Sequence, residues 1–352
     1  MSTPIRGRGA SRNPRNRFTD TDLEYFPDIF ADKQSSEKTS FLRDYSDSVI
    51  SHNNSPDIPF EVSLNPYRGC EHGCVYCYAR PTHEFLGFSA GLDFESKIMV
   101  KHYAPAILKE TLSKPSWKPQ TLVMSGVTDP YQPVERELGI TRGCIGVLAG
   151  CKHPLAIITK NHLVTRDIDL LKKLAEVNAV HVTLSITTLD NHLAGVMEPR
   201  TSRPRARLNA IRELTDAGIP AGVNIAPVVP GLTGHEMVRI LEESKKAGAV
   251  QAGYQLLRLP YGVKNLFLDW LEEHFPDRRD KVVNRILDYR EGHLNRSEFG
   301  ERFRGKGHFA DHIRKTFQIH TGRLGFEQQK QPLNRSAFKR PAINGQLGLF
   351  QT

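Results

Sequence analysis

Three of the chain's five cysteines, Cys70, Cys74 and Cys77, fall within eight residues and are spaced C-x3-C-x2-C inside Asn65-Pro66-Tyr67-Arg68-Gly69-Cys70-Glu71-His72-Gly73-Cys74-Val75-Tyr76-Cys77-Tyr78-Ala79. Folded as a tight loop around one centre, this segment can present three thiolates to a cube of iron and sulfide. The missing fourth thiolate would leave one iron open to an outside ligand. Two plainer readings stand beside it: a structural zinc knuckle with His72 or His83 as fourth ligand, and three reduced cysteines that share a loop. Structural zinc usually takes paired C-x2-C units, or a C-x2-C followed by spaced histidines, and no second pair follows here.

A chain of 352 residues can bury a substantial core and suits one large domain with extensions. No stretch is long or apolar enough to cross a membrane, and residues 1–17 carry arginines without the apolar run of a secretory signal. Clustered cysteines fit a cytoplasmic, reducing setting in which thiolates serve a metal rather than disulfides, with Cys144 and Cys151 buried or inert. The net charge of +9 sits at the ends: five arginines and no acid in residues 1–19, and 16 Lys+Arg against eight Asp+Glu in residues 276–352. Basic ends around a near-neutral middle suit a polyanion, because each cation near a phosphate releases condensed counterions. Solubility is the plainer account of the same charge.

From the cysteines onward, apolar runs and amphipathic stretches alternate. Strands are expected at 60–65, 121–125, 155–159, 180–187, 221–227 and 252–258. Helices are expected at 104–113, 142–149, 167–177, 205–217 and 234–247. Six strand–helix units imply a parallel sheet with helices outside it, and two further units that would close an eight-fold barrel are not found. In β/α barrels, sites gather at the carboxyl ends of the strands. That rule singles out Ser125, Gly126 and Asp129 after the second strand, Ser185 and Thr187 at the fourth, Glu198 and Arg200 on the next loop, and Asn224 at the fifth. Tyr67, Tyr131 and Tyr254 lie near strand ends, where an unstacked base can rest on a ring or where a tyrosine simply fills the barrel mouth.

The cysteine motif resembles that of the radical S-adenosylmethionine (SAM) superfamily, C-x3-C-x-aromatic-C, with Tyr76 in the aromatic position. The resemblance implies an α/β fold built as an open, partial (β/α)6 barrel of the TIM type. It also implies a [4Fe–4S] cluster on Cys70, Cys74 and Cys77, SAM bound at the open iron, a one-electron donor, and cleavage of SAM to a 5'-deoxyadenosyl radical. Tyr76 would lie near the adenine, with Ser125, Gly126, Asp129, Ser185 and Asn224 as further SAM contacts; the familiar Gly-Gly-Glu after the second strand is absent. Asn65-Pro66-Tyr67-Arg68-Gly69-Cys70, together with Thr128-Asp129-Pro130-Tyr131-Gln132-Pro133-Val134-Glu135, is similar to the branch related to spore photoproduct lyase. That narrower resemblance covers about residues 58–260 and implies DNA repair or base modification. The lyase's hydrogen-returning cysteine is replaced here by the stretch Ser125-Gly126-Val127-Thr128-Asp129, so thymine-dimer reversal itself is not expected.

Four regions follow: a basic, partly disordered extension (1–57), the barrel core (58–262), a helical basic extension (263–327) and a flexible tail (328–352). Helices are expected in the third region at 265–275, 281–289, 297–304 and 309–317, covering the barrel's open side. The tail ends in Gln346-Leu347-Gly348-Leu349-Phe350, which resembles the bacterial sliding-clamp-binding motif and would place Gln346, Leu347, Leu349 and Phe350 in the clamp's pocket. The combined expectation is a radical SAM enzyme acting on DNA, held at the clamp. A radical SAM enzyme modifying RNA or a peptide, and a non-enzymatic iron–sulfur sensor on DNA, are the alternatives.

Overall fold

The computed structural model describes residues 5–18, 38–327 and 331–342. Two short strands, β1 (Ser40–Arg43) and β2 (Ile50–His52), precede β3 (Val62–Leu64), and β4 (Tyr67–Arg68) leads into the cysteine loop. Then come α1 (Leu92–Ser96), β5 (Lys97–Val100), α2 (Ala104–Ser113), β6 (Leu122–Met124), α3 (Glu135–Leu138) and α4 (Ile140–Gly150). The regular alternation continues through β7 (Leu155–Thr159), α5 (Ile168–Ala175), β8 (Val180–Ser185), α6 (Asn191–Met197), α7 (Pro204–Asp216), β9 (Ala221–Val228), α8 (Met237–Lys246) and β10 (Gln251–Leu256). Beyond the sheet lie α9 (Val263–His274), α10 (Arg279–Tyr289) and α11 (Gly307–Arg323).

The main sheet runs β10-β9-β8-β7-β6-β3-β2. Its six expected strands are parallel, and β2 adds an antiparallel edge on β3. β3 and β6 are buried on both faces, as strands covered by helices on one side and a filled interior on the other must be. The helices turn one apolar stripe inward: α8 buries Met237, Ile240, Leu241 and Ser244 at the three- and four-residue spacing of a single face. A second, three-stranded sheet, β1-β5-β4, flanks the cysteine loop.

Three expectations change. The boundary drawn at residue 57 moves: the main sheet already starts at Ile50, and within the first extension Gly9 N and Ala10 N donate to Glu95 and Asn16 donates to Glu84 O. The helix expected at 297–304 is a series of turns, because Gly300, Gly305 and Gly307 take left-handed φ values and the buried Arg290 guanidinium draws in the carbonyls of Glu301 and Arg302. Residues 331–342, expected as flexible linker, are docked. The amide of Asn334 donates to Asn178 O and that of Lys339 to Cys151 O, while Phe338 packs edge-on against His153. This strap crosses the amino ends of β7 and β8, the side opposite the cysteine loop. The clamp-like Gln346–Phe350 lies outside the described residues.

The 290–306 segment covers the open side of the barrel. Leu256 N donates to Phe303 O, which ties the segment to β10, and Arg302 pairs with Asp57 in the loop between β2 and β3.

Candidate functional site

The cysteine loop leaves the carboxyl end of β3, so the topology alone delivers it to the mouth of the barrel. The loop has little regular structure of its own, and the segment after β6 supplies much of its support. Thr128 Oγ1 donates to Gly69 O (2.7 Å), Gln132 Oε1 accepts the Glu71 amide (3.0 Å), and the Val134 amide donates to Glu71 Oε2 (2.8 Å). Tyr67 OH donates to Glu135 at 2.5 Å. The two sequence motifs that stand out together are thus one hydrogen-bonded unit. From the other side comes the N-terminal arm: Gly9 N and Ala10 N donate to the two oxygens of Glu95 (3.0 and 2.8 Å). Glu95 also pairs with Arg80, whose Nε donates to Cys74 O (3.0 Å).

Four buried or nearly buried carboxylates brace the loop, and each has its own cation. Glu71 pairs with Arg200 (3.0 Å), Glu95 with Arg80, Asp129 with His72 (3.4 Å) and Glu198 with Arg207. Burial alone would neutralise Glu198, yet the charges of Arg207 and Lys160 hold its pKa down at about 2. Burial would likewise favour neutral His72, but the Asp129 charge keeps it protonated, with a pKa of about 10. Lys160 adds a further cation to these matched pairs, 3.9 Å from Glu198 and donating to Ala226 O.

The thiols feel that balance. Burial, then the charge of Glu198, pushes Cys74 well above the ordinary thiol range; burial and the charge of Cys70 raise Cys77 to about 11. Bare, Cys74 and Cys77 keep their protons at neutral pH, whereas iron would displace those protons and stabilise the thiolates. The donor set fits a metal–sulfur centre. A zinc knuckle fits less well: the His72 ring is shared among Asp129, Asn161 and Cys70, with Asp129 keeping it protonated, and His83 lies between Phe88 and Phe94 with burial holding its pKa at about 4. Among the described residues no three His, Cys, Asp or Glu side chains converge on a single ion. Zinc draws its ligands to within about 2.3 Å of one point, while a cube spreads them over separate irons.

The other expected site residues divide. Tyr76 is buried beside the loop, its hydroxyl on Glu198 and 3.4 Å from Thr187 Oγ1. Ser125 and Gly126 stand partly buried just past β6; Ser185, buried at the end of β8, is in register with Asn224, which lies in the middle of β9 rather than at its end because that strand runs on to Val228. Asp129 is not a free acceptor, because Tyr131 N, Thr159 Oγ1, Lys160 N and His72 already occupy its oxygens. Arg200 is likewise engaged, by Glu71. Tyr67 and Tyr131 are fully buried with their hydroxyls on Glu135 and Asp167, so neither offers a ring to a base. Tyr254 packs on Phe317. Cys144 and Cys151 are buried, as expected.

Sequence reasoning missed Tyr78 and Arg258. Tyr78 directly follows the last cysteine, is about half exposed (48%), and donates to Gly126 O across the mouth (2.8 Å). Its position next to Cys77 was the available signal. Arg258, just past β10, has its guanidinium 5.7 Å from the Tyr78 ring centroid.

Comparison with known proteins shows the family of the chain. The model of the Radical SAM superfamily matches residues 64–243, about half the chain. An uncharacterized protein of Mycobacterium tuberculosis is 37% identical over 242 residues, 68% of this chain and 70% of its own length. One from Methanocaldococcus jannaschii is 28% identical over 222 residues, 63% of this chain and 79% of its own. Spore photoproduct lyase complexed with dinucleoside spore photoproduct shares the fold, with a TM-score of 0.58 at 16% identity over 81% of this chain and 80% of that one. A mutant of the same lyase with bound AdoMet and the dinucleoside gives 0.55 at 17% identity over the same shares. The chain belongs to the radical SAM superfamily, whose enzymes use a [4Fe–4S] cluster and SAM.

Proposed function

We propose that this enzyme acts on nucleic acid, with DNA as the favoured substrate, and that Cys70, Cys74 and Cys77 hold its cluster. Cluster and SAM, when bound, supply one-electron cleavage to a 5'-deoxyadenosyl radical that abstracts hydrogen. Around them the chain's residues have separable roles. The Glu95–Arg80 pair and the N-terminal arm fix the loop; Glu198 holds Tyr76 in place; Ser125 and Ser185 at strand ends, and Asn224 within β9, offer polar groups by which a ribose or the methionine part of SAM can be bound. Tyr78 gives the mouth an exposed ring on which an unstacked base can lie.

The observation that carries the substrate reading is this exposed ring beside the cysteine loop, in the fold shared with a lyase whose structure contains a dinucleoside photoproduct. The basic N-terminal arm supports it less than the sequence suggests, because Arg12 and Arg17 are paired with Asp269 and Glu84. The clamp reading is kept in narrower form. From Ala342, the last described residue, the chain to Gln346 spans at most about 14 Å, so a clamp held there would sit near the base of the barrel rather than on a long tether.

Anaerobic reconstitution with iron and sulfide, reduction with SAM, and chromatography for 5'-deoxyadenosine test the chemistry. Wild type should form it and Cys74→Ala should not. Adding duplex DNA, single-stranded DNA or RNA should raise its yield most with a DNA; stimulation by RNA alone would overturn the substrate assignment.

A further inference from the structure

Among the described residues, Arg258 is a cation at the mouth without an acceptor. Its Nε is buried and makes no hydrogen bond, and its neighbours include two rings: Tyr78, and Phe303 at 4.8 Å from the guanidinium carbon. The carboxylate beside it, Asp57, is taken by both arms of Arg302 and by the Gly300 amide. Arg290, nearby, donates to the carbonyls of Leu257, Glu301 and Arg302. Arg302 therefore takes Asp57, and among the described residues neither Arg258 nor Arg290 pairs with a carboxylate. Burial, and then the charge of Arg302, lowers the Arg258 pKa to about 10, the mark of a cation that lacks an anion.

A guanidinium is a planar fork of donors suited to oxyanions, and one left unpaired in a partly buried position carries an unmet desolvation cost. A half-exposed ring next to such a cation is the combination that a nucleotide satisfies, base on the ring and phosphate on the fork. We propose that Arg258 binds a phosphodiester group of the substrate strand beside the base carried by Tyr78. This rests on the nucleic-acid reading above. The Asp57–Arg302 pair then serves twice, closing the barrel edge and keeping the nearest carboxylate from quenching Arg258.

The test measures fluorescence anisotropy of a short labelled single-stranded oligodeoxynucleotide with reconstituted enzyme and SAM, across a salt series, for wild type, Arg258→Gln and Arg258→Lys. Equilibrium dialysis of SAM runs alongside, and iron and sulfide content and near-ultraviolet circular dichroism check each variant. Loss of one phosphate contact should weaken Arg258→Gln about tenfold and lower the salt slope by about 0.7, with Arg258→Lys between the two and SAM affinity unchanged. In wild type, which needs no variant to fold, the oligonucleotide should protect Arg258 from phenylglyoxal, as read by peptide mass. Equal binding by wild type and Arg258→Gln, or no protection, overturns the Arg258 assignment and leaves the nucleic-acid reading standing. Loss of SAM affinity with unchanged oligonucleotide binding overturns it in favour of the SAM carboxylate. Failure of wild type to bind any oligonucleotide defeats the parent reading and this proposal together.

Discussion

Replacing Gly9 by alanine tests the N-terminal arm as a brace of the cysteine loop. A Cβ at Gly9 would sit 1.7 Å from Gly73 O and 2.9 Å from Gly73 C, both main-chain atoms, so no rotamer change relieves the clash. The arm must retreat by more than an ångström. That retreat breaks the Gly9 and Ala10 amide bonds to Glu95, leaving a fully buried carboxylate with Arg80 as its remaining strong partner. Hydrogen bonds to a charged group contribute about 1.5–3 kcal/mol each. With water replacing part of the loss, the docked arm should be weakened by about 3 kcal/mol. Opening governs cleavage when reclosing is fast, so tryptic cutting after Arg8 and Arg12 should accelerate roughly a hundredfold. Because Arg80 also holds Cys74 O, iron retention after gel filtration should fall in step. Gly146→Ala, in α4 with open space around its Cβ position, is the control and should be neutral to slightly stabilising. Unchanged cleavage and iron content in Gly9→Ala would refute the brace.

Two further outcomes follow from buried charge. Glu198→Gln leaves Arg207, 1% exposed, without its carboxylate; urea unfolding should show a loss of about 3–5 kcal/mol, and a loss under about 1 kcal/mol would mean the pair is not needed. His153 is buried against the strap, accepting from Trp117 Nε1 at 3.1 Å, and burial lowers its pKa to about 4. A depressed histidine favours the fold fully above its unfolded value of about 6.5 and loses that contribution as pH falls through about 4. The Trp117 fluorescence change and cleavage after Lys339 should therefore rise over that window. His153→Gln keeps an acceptor without the titration, and an identical acid profile in that variant would discount His153.

Legibility followed the range of the interactions. β7 and α2 lie where their residue patterns put them, since Leu155-Ala156-Ile157-Ile158-Thr159 and the Leu108–Leu112 stripe are local signals. β4 has two residues, and β1 is exposed throughout and exists through pairing with β5, 57 positions away at Ser40 and Lys97, so neither leaves a local trace. The arm shows the same effect more strongly. Arginines without neighbouring acids read as a solvated tail, yet Arg12 meets Asp269 at a separation of 257 residues. In the site, the thiol spacing was legible because the three cysteines lie on one loop. The role of Asp129 was not, because its partners arrive from His72, Thr159 and Lys160, and a strand-end carboxylate looks the same whether it faces a cofactor or a histidine.

The arrangement of those braces bears on why the loop is held by ion pairs at all. A loop this short cannot fix three thiols through its own backbone bonds, and apolar packing alone would raise their proton affinity further. Carboxylates such as Glu71, Glu95 and Glu198 each accept from several donors at once, which makes them efficient at pinning irregular chain. Unpaired, however, their charges would repel the thiolates that a cluster requires. Arg200, Arg80 and Arg207 remove that repulsion while adding contacts of their own, to Thr39, Cys74 O and Ser185 O. Rigidity and near-neutrality therefore come from the same side chains. On this argument a charge-reversing exchange within one pair preserves the balance but loses the donor pattern, so Glu95→Arg with Arg80→Glu should fail to retain iron even though its net charge is unchanged.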